Sequence, residues 1–179
     1  MTGPMITPSD EELAAAARRL GDVLRARGWR LATAESSTGG LIGHAITMVP
    51  GSSDYYPGGV ISYSNRAKEV ELDVPAELIT EHGAVSAQVA EAMADGVRRR
   101  FDAEIGIAVT GIAGPEGGSP EKPVGTHWIA ISMGGRPTRV EHAHFGHDRE
   151  GNRTAAALLA LELALAEALA ASPVESRGR

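Results

Sequence analysis

The 179-residue sequence predicts an α/β fold in which helices cover both faces of a mixed β-sheet, an α/β/α sandwich. Helix-like and strand-like segments alternate in the early part of the chain, which is typical of strands joined by helices. The apolar run from Ile105 to Val109 indicates a strand that is covered on both faces. Two later strand-like segments meet at Gly134-Gly135, and this turn predicts an antiparallel hairpin.

The first helix is predicted from a capping box, Ser9-Asp-Glu-Glu12, in which each end residue bonds to the backbone of the other. Apolar residues at helical spacing extend this helix to about Arg27, and Gly28 ends it. Residues 29–34 are predicted as a short buried strand. A second helix opens at Gly39-Gly40 and runs to about residue 48.

The remaining elements follow from turn residues, helix caps and β-favouring composition. They are a turn at 50–53, a strand at 59–63, a helix at 66–72 with Asn65 as N-cap, a helix from Pro75 to Gly83, a helix from Ser86 to Phe101, strands at 126–133 and 138–145, and a helix from Asp148 to Ala171. We expect one domain over residues 9–171, with flexible ends at 1–8 and 172–179.

The composition excludes several kinds of chemistry. The chain has no cysteine, which excludes disulfides, thiolate catalysis and cysteine-ligated zinc. A formal net charge of −6 disfavours binding to nucleic acid or to an anionic membrane. The N-terminus lacks the pattern of a signal peptide, and no apolar run is long enough to span a bilayer, so we expect a cytoplasmic protein.

The first candidate site is the segment Thr-Ala-Glu-Ser-Ser-Thr-Gly-Gly, which ends at Gly40 between the first strand and the second helix. Ser36 can present its hydroxyl there, and the N–H groups of Ser37, Thr38 and Gly39 could stabilise an oxyanion or bind a phosphate. Gly39 and Gly40 allow the backbone to approach a ligand closely. The same pattern also suits a serine N-cap in a tight turn, and the local residues leave both interpretations open.

The second candidate site is Tyr63-Ser-Asn-Arg-Ala-Lys68. With Asn65 as N-cap, Lys68 is the third residue of a helix, where the helix dipole and the charge of Arg66 oppose its protonation. These effects, together with burial, are expected to lower the pKa of Lys68 below the ordinary value of about 10.4. A serine–lysine pair needs such a lysine because only the neutral amine can accept a proton. The alternative is an ordinary surface lysine.

The third candidate is a segment rich in glycine and proline over residues 111–125. Its length and composition suit a loop that wraps a small ligand, with Ser119 and Lys122 as hydrogen-bond donors. It is not a Walker A loop, because no Lys-Ser or Lys-Thr pair follows its glycines.

A weaker alternative is a metal site at His142, His144 and His147. No carboxylate completes this set at a suitable spacing, so we expect no metal. Arg149 and Arg153 share one face at the start of the final helix, where they are either solvated or one of them reaches a phosphate.

Six motifs, taken in order, resemble the CinA C-terminal domain family over residues 9–171. They are Ala34-Glu-Ser-Ser-Thr-Gly-Gly40, Pro50-Gly-Ser-Ser53, Tyr63-Ser-Asn65 with Lys68, His82-Gly-Ala-Val-Ser86, Thr110-Gly-Ile-Ala-Gly-Pro115 and Lys122-Pro-Val-Gly-Thr126. The characterised members of this family are nicotinamide-nucleotide amidohydrolases. The resemblance implies a three-layer α/β/α sandwich on a mixed, mostly parallel five-stranded sheet.

The resemblance also implies the chemistry. Ser36 matches the family's nucleophile, Lys68 its base and Tyr63 its accessory tyrosine. The substrate would be nicotinamide mononucleotide, hydrolysed to nicotinate mononucleotide and ammonia with no cofactor and no metal, and the enzyme would be a homodimer. We expect the pyridine nucleotide to contact Ser37, Thr38, Gly39, Gly40, Thr110, Gly111, Gly114, Ser119, Lys122 and Arg153.

Two features depart from the family pattern. Ser37 stands where many members have cysteine, which places a second hydroxyl beside Ser36. The chain also matches only the C-terminal part of full-length CinA proteins. It therefore resembles the stand-alone form, and the activity of the other domain cannot be transferred to it.

Two other functions remain open from the sequence. One is a non-catalytic module that binds a nucleotide or a partner, and the other is an amidohydrolase for another small phosphorylated metabolite. The fold alone permits both. The joint presence of Ser36, Tyr63 and Lys68 favours catalysis, because a binding module does not need all three.

Overall fold

The structure of the protein is a computed structural model that describes residues 7–171. The helices within that range are α1 (Asp10–Arg27), α2 (Leu41–Thr47), α3 (Asn65–Leu72), α4 (Ala76–His82), α5 (Ala87–Arg100) and α6 (Arg149–Ala170). The strands are β1 (Leu31–Glu35), β2 (Gly58–Ile61), β3 (Ile105–Gly111), β4 (Thr126–Met133) and β5 (Arg139–His144), and a 3-10 turn covers Ser52–Asp54. The ends predicted to be flexible, 1–8 and 172–179, lie outside the described residues, apart from Thr7 and Pro8.

The five strands form one sheet in the order β2-β1-β3-β4-β5. β1 pairs in parallel with β2 and β3, whereas β3 with β4 and β4 with β5 pair antiparallel. Four strands therefore point in one direction and β4 points in the other, which confirms the mixed, mostly parallel sheet and the late hairpin. β2, β1 and β3 end at the same edge of the sheet, and this edge carries the candidate site.

Helices cover both faces of the sheet. α1, α2 and α6 enclose one apolar core, in which Leu24 and Leu161 are fully buried. α3, α4 and α5 enclose the other core, in which Leu72 is fully buried. β3 contributes to both cores, because Ile107 packs in the first and Ala108 in the second. The expected burial of this strand on both faces is confirmed.

Several helix ends have the caps that the sequence predicts. The Oγ of Ser9 accepts the N–H of Glu12 at 3.2 Å, and the Glu12 carboxylate accepts the N–H of Ser9 at 2.8 Å, which confirms the capping box. Ser86 and Asp148 are the N-caps of α5 and α6. Within residues 7–171, none of the helices is both long enough and apolar enough to cross a lipid bilayer.

The beginning of α3 differs from the prediction. Ser64, not Asn65, has the extended backbone of an N-cap, and its Oγ accepts the N–H of Ala67 at 3.1 Å. Lys68 is therefore the fourth residue of this helix rather than the third. Serine and asparagine cap helices about equally well, so residue type could not decide between neighbours. β2 is also shorter than predicted, because it ends at Ile61.

α3 and α5 approach each other closely where Gly96 of α5 faces the last residue of α3. A Cβ atom on Gly96 would overlap the carbonyl group of Leu72. Leu72 is itself fully buried, so α3 has no free space into which it can move. This contact fixes the position of α3, and therefore of Lys68, relative to α5.

Replacing Gly96 by alanine is expected to destabilise the protein, although alanine is the better helix former by about 1 kcal/mol. Overpacking costs roughly 1–3 kcal/mol, so the free energy of unfolding measured in urea should fall. The control is Gln88→Ala on the exposed side of the same helix, for which we expect a change within about 0.5 kcal/mol. A Gly96→Ala variant as stable as the wild type would contradict the close contact between α3 and α5.

Candidate active site

The connections that follow β1, β2 and β3 meet at one edge of the sheet and surround a cavity of about 270 Å³. Open α/β sheets bind ligands at this edge. Two basic side chains and no acidic one belong to the lining, which consists of Ser36, Ser37, Tyr63, Asn65, Lys68, Ala84, Val85, Thr110, Gly111, Ala113 and Arg149.

Ser36 and Lys68 are brought together inside this cavity. Only 1% of the surface of Lys68 is exposed, and its Nζ lies 3.1 Å from the Oγ of Ser36. Nζ also donates to the carbonyl oxygen of Ser62 at 2.8 Å. Within residues 7–171, no ion pair includes Lys68. Burial without a counter-charge lowers the pKa of Lys68 to about 8.

Burial, rather than neighbouring charge, is the cause of this low pKa. Arg66 is exposed, so water screens its charge from Lys68, contrary to the sequence-based expectation. Lys68 also lies one residue further from the beginning of α3 than predicted, where the helix dipole acts less strongly. The expected direction of the shift is confirmed. Burial had been expected only to add to the effects of charge and dipole, because a lysine is ordinarily a surface residue.

The turn after β1 is held by Glu35, the last residue of that strand. Its carboxylate accepts the N–H groups of Gly40, Ile42 and Gly43 at 3.0, 3.1 and 2.8 Å, at the beginning of α2. Gly39 and Gly40 have φ angles of 60° and 99°, which other residues rarely adopt. The sequence had suggested no role for Glu35, although a carboxylate inside an apolar strand was an available signal.

Two N–H groups of this turn remain for a ligand. Gly39, which was expected to offer a free N–H, donates to the carbonyl oxygen of Ser36 at 3.2 Å, so that part of the prediction is wrong. Within the described part of the chain, no protein acceptor binds the N–H of Ser37 or of Thr38. These two groups are the donors available to an oxyanion formed on a ligand that is bonded to Ser36 Oγ.

Tyr63 and Arg149 form the solvent side of the cavity. Tyr63 is 65% exposed, and its hydroxyl accepts a hydrogen bond from Nη2 of Arg149 at 3.4 Å. Nη1 of the same guanidinium donates to the carbonyl oxygen of Gly114, a residue that had been expected to contact the nucleotide directly. Within residues 7–171, the Tyr63 hydroxyl forms no hydrogen bond with Lys68 or Ser36. Tyr63 instead helps to orient an arginine.

Of the ten residues predicted to contact the nucleotide, three line the cavity: Ser37, Thr110 and Gly111. The other seven do not, and they are Thr38, Gly39, Gly40, Gly114, Ser119, Lys122 and Arg153. The Oγ of Ser119 donates to the Glu121 carboxylate at 2.9 Å, and Nζ of Lys122 donates to the carbonyl oxygen of His82 at 2.7 Å. These contacts anchor the long loop to the end of α4 instead of directing donors at a ligand. Arg153 contacts the turn after β1, and Arg149 is the arginine that lines the cavity. Spacing alone had placed both arginines on one face of α6.

The end of β3 contributes Thr110 and Gly111 to the cavity, as expected. Oγ1 of Thr110 donates to the carbonyl oxygen of Ala84 at 2.8 Å, which fixes its side chain. A side chain on Gly111 would overlap the ring of His127, which is fully buried behind it. Burial also lowers the pKa of His127, so this ring is neutral near pH 7.

The histidines near the end of β5 have other contacts. The ring of His142 packs against Trp128 with centroids 4.5 Å apart, and Nε2 of His144 lies 3.1 Å from the carbonyl oxygen of Val124. Among residues 7–171, no group of three or more histidine, aspartate or glutamate side chains is arranged to hold a metal ion.

The fold and the site together define a class of protein, an open α/β/α sandwich with a buried serine–lysine pair in a ligand-sized cavity beyond its parallel strands. Residues 13–168 match the family model of the CinA C-terminal domain, and the chain belongs to this family. The resemblance noted in the sequence is therefore confirmed.

Relatives and solved structures agree with this assignment. A CinA-like protein from Gemmatimonas aurantiaca is 55% identical over 132 residues, which are 74% of this chain and 31% of that protein. The chain thus spans about a third of the length of the curated relatives it matches. The competence/damage inducible protein CihA from Agrobacterium tumefaciens superposes with a TM-score of 0.85 at 40% identity, covering 93% of this chain and 98% of that one. The competence damage-inducible protein A from Klebsiella pneumoniae gives a TM-score of 0.86 at 35% identity, covering 89% of this chain and 99% of that one.

Replacing Glu35 by glutamine is expected to loosen the turn that carries Ser36, because a carboxamide has one accepting oxygen where the carboxylate offers two. Hydrogen bonds to charged groups contribute about 1.5–3 kcal/mol each. We therefore expect Glu35→Gln to lower the free energy of unfolding in urea by about 2 kcal/mol or more. Glu91→Gln, on the exposed side of α5, is the matched control and should change it by less than about 0.5 kcal/mol. Equal effects of the two variants would refute the role of Glu35.

Proposed function

We propose that the protein is a nicotinamide-nucleotide amidohydrolase, which converts nicotinamide mononucleotide and water into nicotinate mononucleotide and ammonia. The observation that carries this proposal is the 3.1 Å contact between Nζ of the buried Lys68 and Oγ of Ser36 in a ligand-sized cavity. Membership of the CinA C-terminal domain family supports it further, because characterised members catalyse this reaction.

The hydrogen bonds around Lys68 suit a general base. The neutral amine donates one N–H to the carbonyl oxygen of Ser62, which leaves its lone pair free to accept the proton of the Ser36 hydroxyl. Because the pKa of Lys68 is about 8, an appreciable fraction of the amine is neutral at pH 7 to 8. Lysine with its ordinary pKa would be almost entirely protonated there.

The first half of the reaction forms an ester between Ser36 and the nicotinoyl group. As Lys68 removes its proton, Oγ of Ser36 attacks the carboxamide carbon, and the carbonyl oxygen becomes an oxyanion near the N–H groups of Ser37 and Thr38. The tetrahedral intermediate collapses as its C–N bond breaks. Lys68 transfers its proton to the departing nitrogen, which leaves as ammonia.

The second half returns the enzyme to its starting state. A water molecule gives its proton to the neutral Lys68 and attacks the ester carbon, forming a second oxyanion at the same donors. When the C–O bond to Ser36 breaks, Lys68 returns the proton to Oγ. The acid product leaves, and no charge remains on the serine.

The charge and size of the cavity favour a small anionic ligand. Its volume of about 270 Å³ lies just below the usual range of small-molecule sites, which is roughly 300–1,000 Å³. With the carboxamide at Ser36, the phosphate would extend towards the exposed side, where Arg149 offers a planar guanidinium. Thr110 and Asn65 supply the polar contacts between these ends.

Ammonia release from nicotinamide mononucleotide tests the nucleophile. We expect Ser36→Ala to lower kcat by about 10,000-fold or more, as for serine hydrolases without their nucleophile. Ser37→Ala removes the neighbouring hydroxyl and should retain most of the turnover. Near-normal release by Ser36→Ala would contradict the mechanism. A folded wild type that releases no ammonia would contradict the substrate. Thermal shifts would then identify the nucleotides that bind, and ammonia release from those would separate another amidohydrolase from a binding module.

The pH dependence of kcat/KM tests the base. The reaction requires neutral Lys68, so kcat/KM should rise with pH and level off above a midpoint of about 8. Lys68→Arg should be inactive at every pH, because a guanidinium stays protonated. Activity of Lys68→Arg, or a midpoint at the ordinary lysine value, would exclude Lys68 as the base.

We also propose that the enzyme is cytoplasmic and forms a homodimer with no nucleic-acid or membrane partner. The overall acidic charge supports the absence of nucleic-acid binding. Light scattering after size-exclusion chromatography should give twice the monomer mass of 18.6 kDa, and a single species at the monomer mass would contradict the dimer.

A further inference from the structure

Arg153 lies behind the turn that carries Ser36, and its guanidinium binds backbone rather than a carboxylate. Its Nε donates to the carbonyl oxygen of Ser37 at 3.2 Å, and its Nη2 donates to that of Thr38 at 2.9 Å. No ion pair within residues 7–171 includes Arg153. The side chain is half-buried and does not line the cavity. Neither a salt bridge nor a surface position therefore explains why an arginine occupies position 153.

The geometry of the peptide bond gives that explanation. The peptide units around Ser37 are trans, because the described chain has its single cis bond at Gly114-Pro115. In a trans unit the C=O and N–H groups point in opposite directions. The carbonyl of Ser37 shares its unit with the N–H of Thr38. Arg153 therefore holds this unit by its carbonyl and leaves the N–H of Thr38 directed away from the guanidinium.

The preceding peptide unit is held in the same way. The carbonyl oxygen of Ser36 accepts the N–H of Gly39, so the N–H of Ser37 points away from that contact. Two consecutive units are thus fixed by their carbonyls, and their two N–H groups are the ones without protein acceptors. A cation on a peptide carbonyl also polarises the unit and strengthens its N–H as a donor.

We propose that Arg153 is a positioning residue, which orients the oxyanion-binding N–H groups beside Ser36 from behind and does not bind the substrate. This inference rests in part on the proposed function, because it assigns a purpose to the same site. It replaces the sequence-based expectation that Arg153 contacts the nucleotide. The two arginines of α6 then have different roles. Arg149 faces the ligand, and Arg153 binds the backbone whose N–H groups stabilise the oxyanion.

The donors of α2 itself cannot take this role. Glu35 accepts the N–H groups of Gly40, Ile42 and Gly43, so the beginning of α2 already carries a carboxylate. An anion on the ligand would meet that negative charge if it approached the helix. The N–H groups of Ser37 and Thr38 lie one turn earlier in the chain, directly after the nucleophile.

A fluorophosphonate probe tests the inference without reference to the natural substrate. Ser36 Oγ attacks its phosphorus, fluoride leaves, Lys68 takes the serine proton, and the phosphoryl oxygen occupies the oxyanion position. The rate at which Ser36 gains the phosphonyl mass is measured by mass spectrometry. Loss of one oxyanion donor typically costs about 100- to 1,000-fold, so we expect misplaced donors in Arg153→Gln to slow labelling by roughly 10- to 100-fold.

Matched arginine variants separate positioning from a general effect of charge. Arg19→Gln removes the same charge from an exposed position on α1 and should slow labelling less than about 3-fold, because Arg19 lies outside the cavity lining. Arg153→Lys keeps a cation that can reach one carbonyl, so its rate should fall between those of Arg153→Gln and the wild type. It also provides a second variant if Arg153→Gln does not fold, as judged by circular dichroism.

Steady-state kinetics supply an independent readout. With nicotinamide mononucleotide, Arg153 variants should lose kcat while KM and the pH midpoint of kcat/KM stay unchanged, since neither ground-state binding nor Lys68 is altered. Their preference for the nucleotide over nicotinamide riboside, which lacks the phosphate, should also stay. A phosphate ligand would behave in the opposite way, with a raised KM and a lost preference.

Each outcome decides the inference. Labelling of Arg153→Gln at the wild-type rate, or equal slowing in Arg19→Gln, would overturn it, as would a lost preference for the nucleotide. Wild-type protein that is not labelled at Ser36 would overturn both the inference and the nucleophile. Wild-type protein that is labelled but releases no ammonia from nicotinamide mononucleotide would refute only the proposed substrate, and the labelling rates would still decide the role of Arg153.

Discussion

The burial of the Lys68 amino group without a counter-charge is the constraint on which the site depends. A buried lysine costs least when it is neutral, and a neutral lysine beside a serine hydroxyl is a base. The surrounding fold maintains both conditions. Close packing of α3 against Gly96 keeps the side chain in the interior, and the carbonyl oxygen of Ser62 satisfies one N–H while leaving the lone pair directed at Ser36. A carboxylate near Nζ would stabilise the ammonium and end the basicity.

The site combines a rigid interior with an exposed side. The turn that carries Ser36 is held by Glu35 through N–H groups of α2 and by Arg153 through backbone carbonyls, so a carboxylate and a guanidinium brace one short segment from different directions. Such bracing keeps donors in place while charge develops, which is how preorganised sites lower a barrier. Tyr63 and Arg149, by contrast, are exposed and contact each other only loosely at 3.4 Å, which suits residues that meet a ligand from solvent.

Local rules recovered most of the fold, because its elements are set by nearby residues. The capping box at Ser9 and the apolar run from Ile105 to Val109 are examples of signals that need no tertiary context. The site was harder to predict than the fold, since a lone serine and a lone lysine carry little information. The pairing of Ser36 with Lys68, 32 positions apart, was expected only because of the family resemblance. The roles of the arginines could not be predicted, because Arg153 meets Ser37 across 116 positions and spacing on α6 does not distinguish it from Arg149. Tertiary packing decides which of the two arginines lines the cavity and which one binds the turn.

The most direct test of the central claim is the protonation of Lys68 itself, measured by NMR. The sequence contains two lysines, Lys68 and Lys122, so protein with isotope-labelled lysine gives two side-chain signals, and Lys68→Arg assigns them. The Cε signal of Lys68 should titrate with a midpoint near pH 8 in the ligand-free wild type. A midpoint near the ordinary lysine value of about 10.4 would contradict the claim, because the amine would then be too rarely neutral to act as the base.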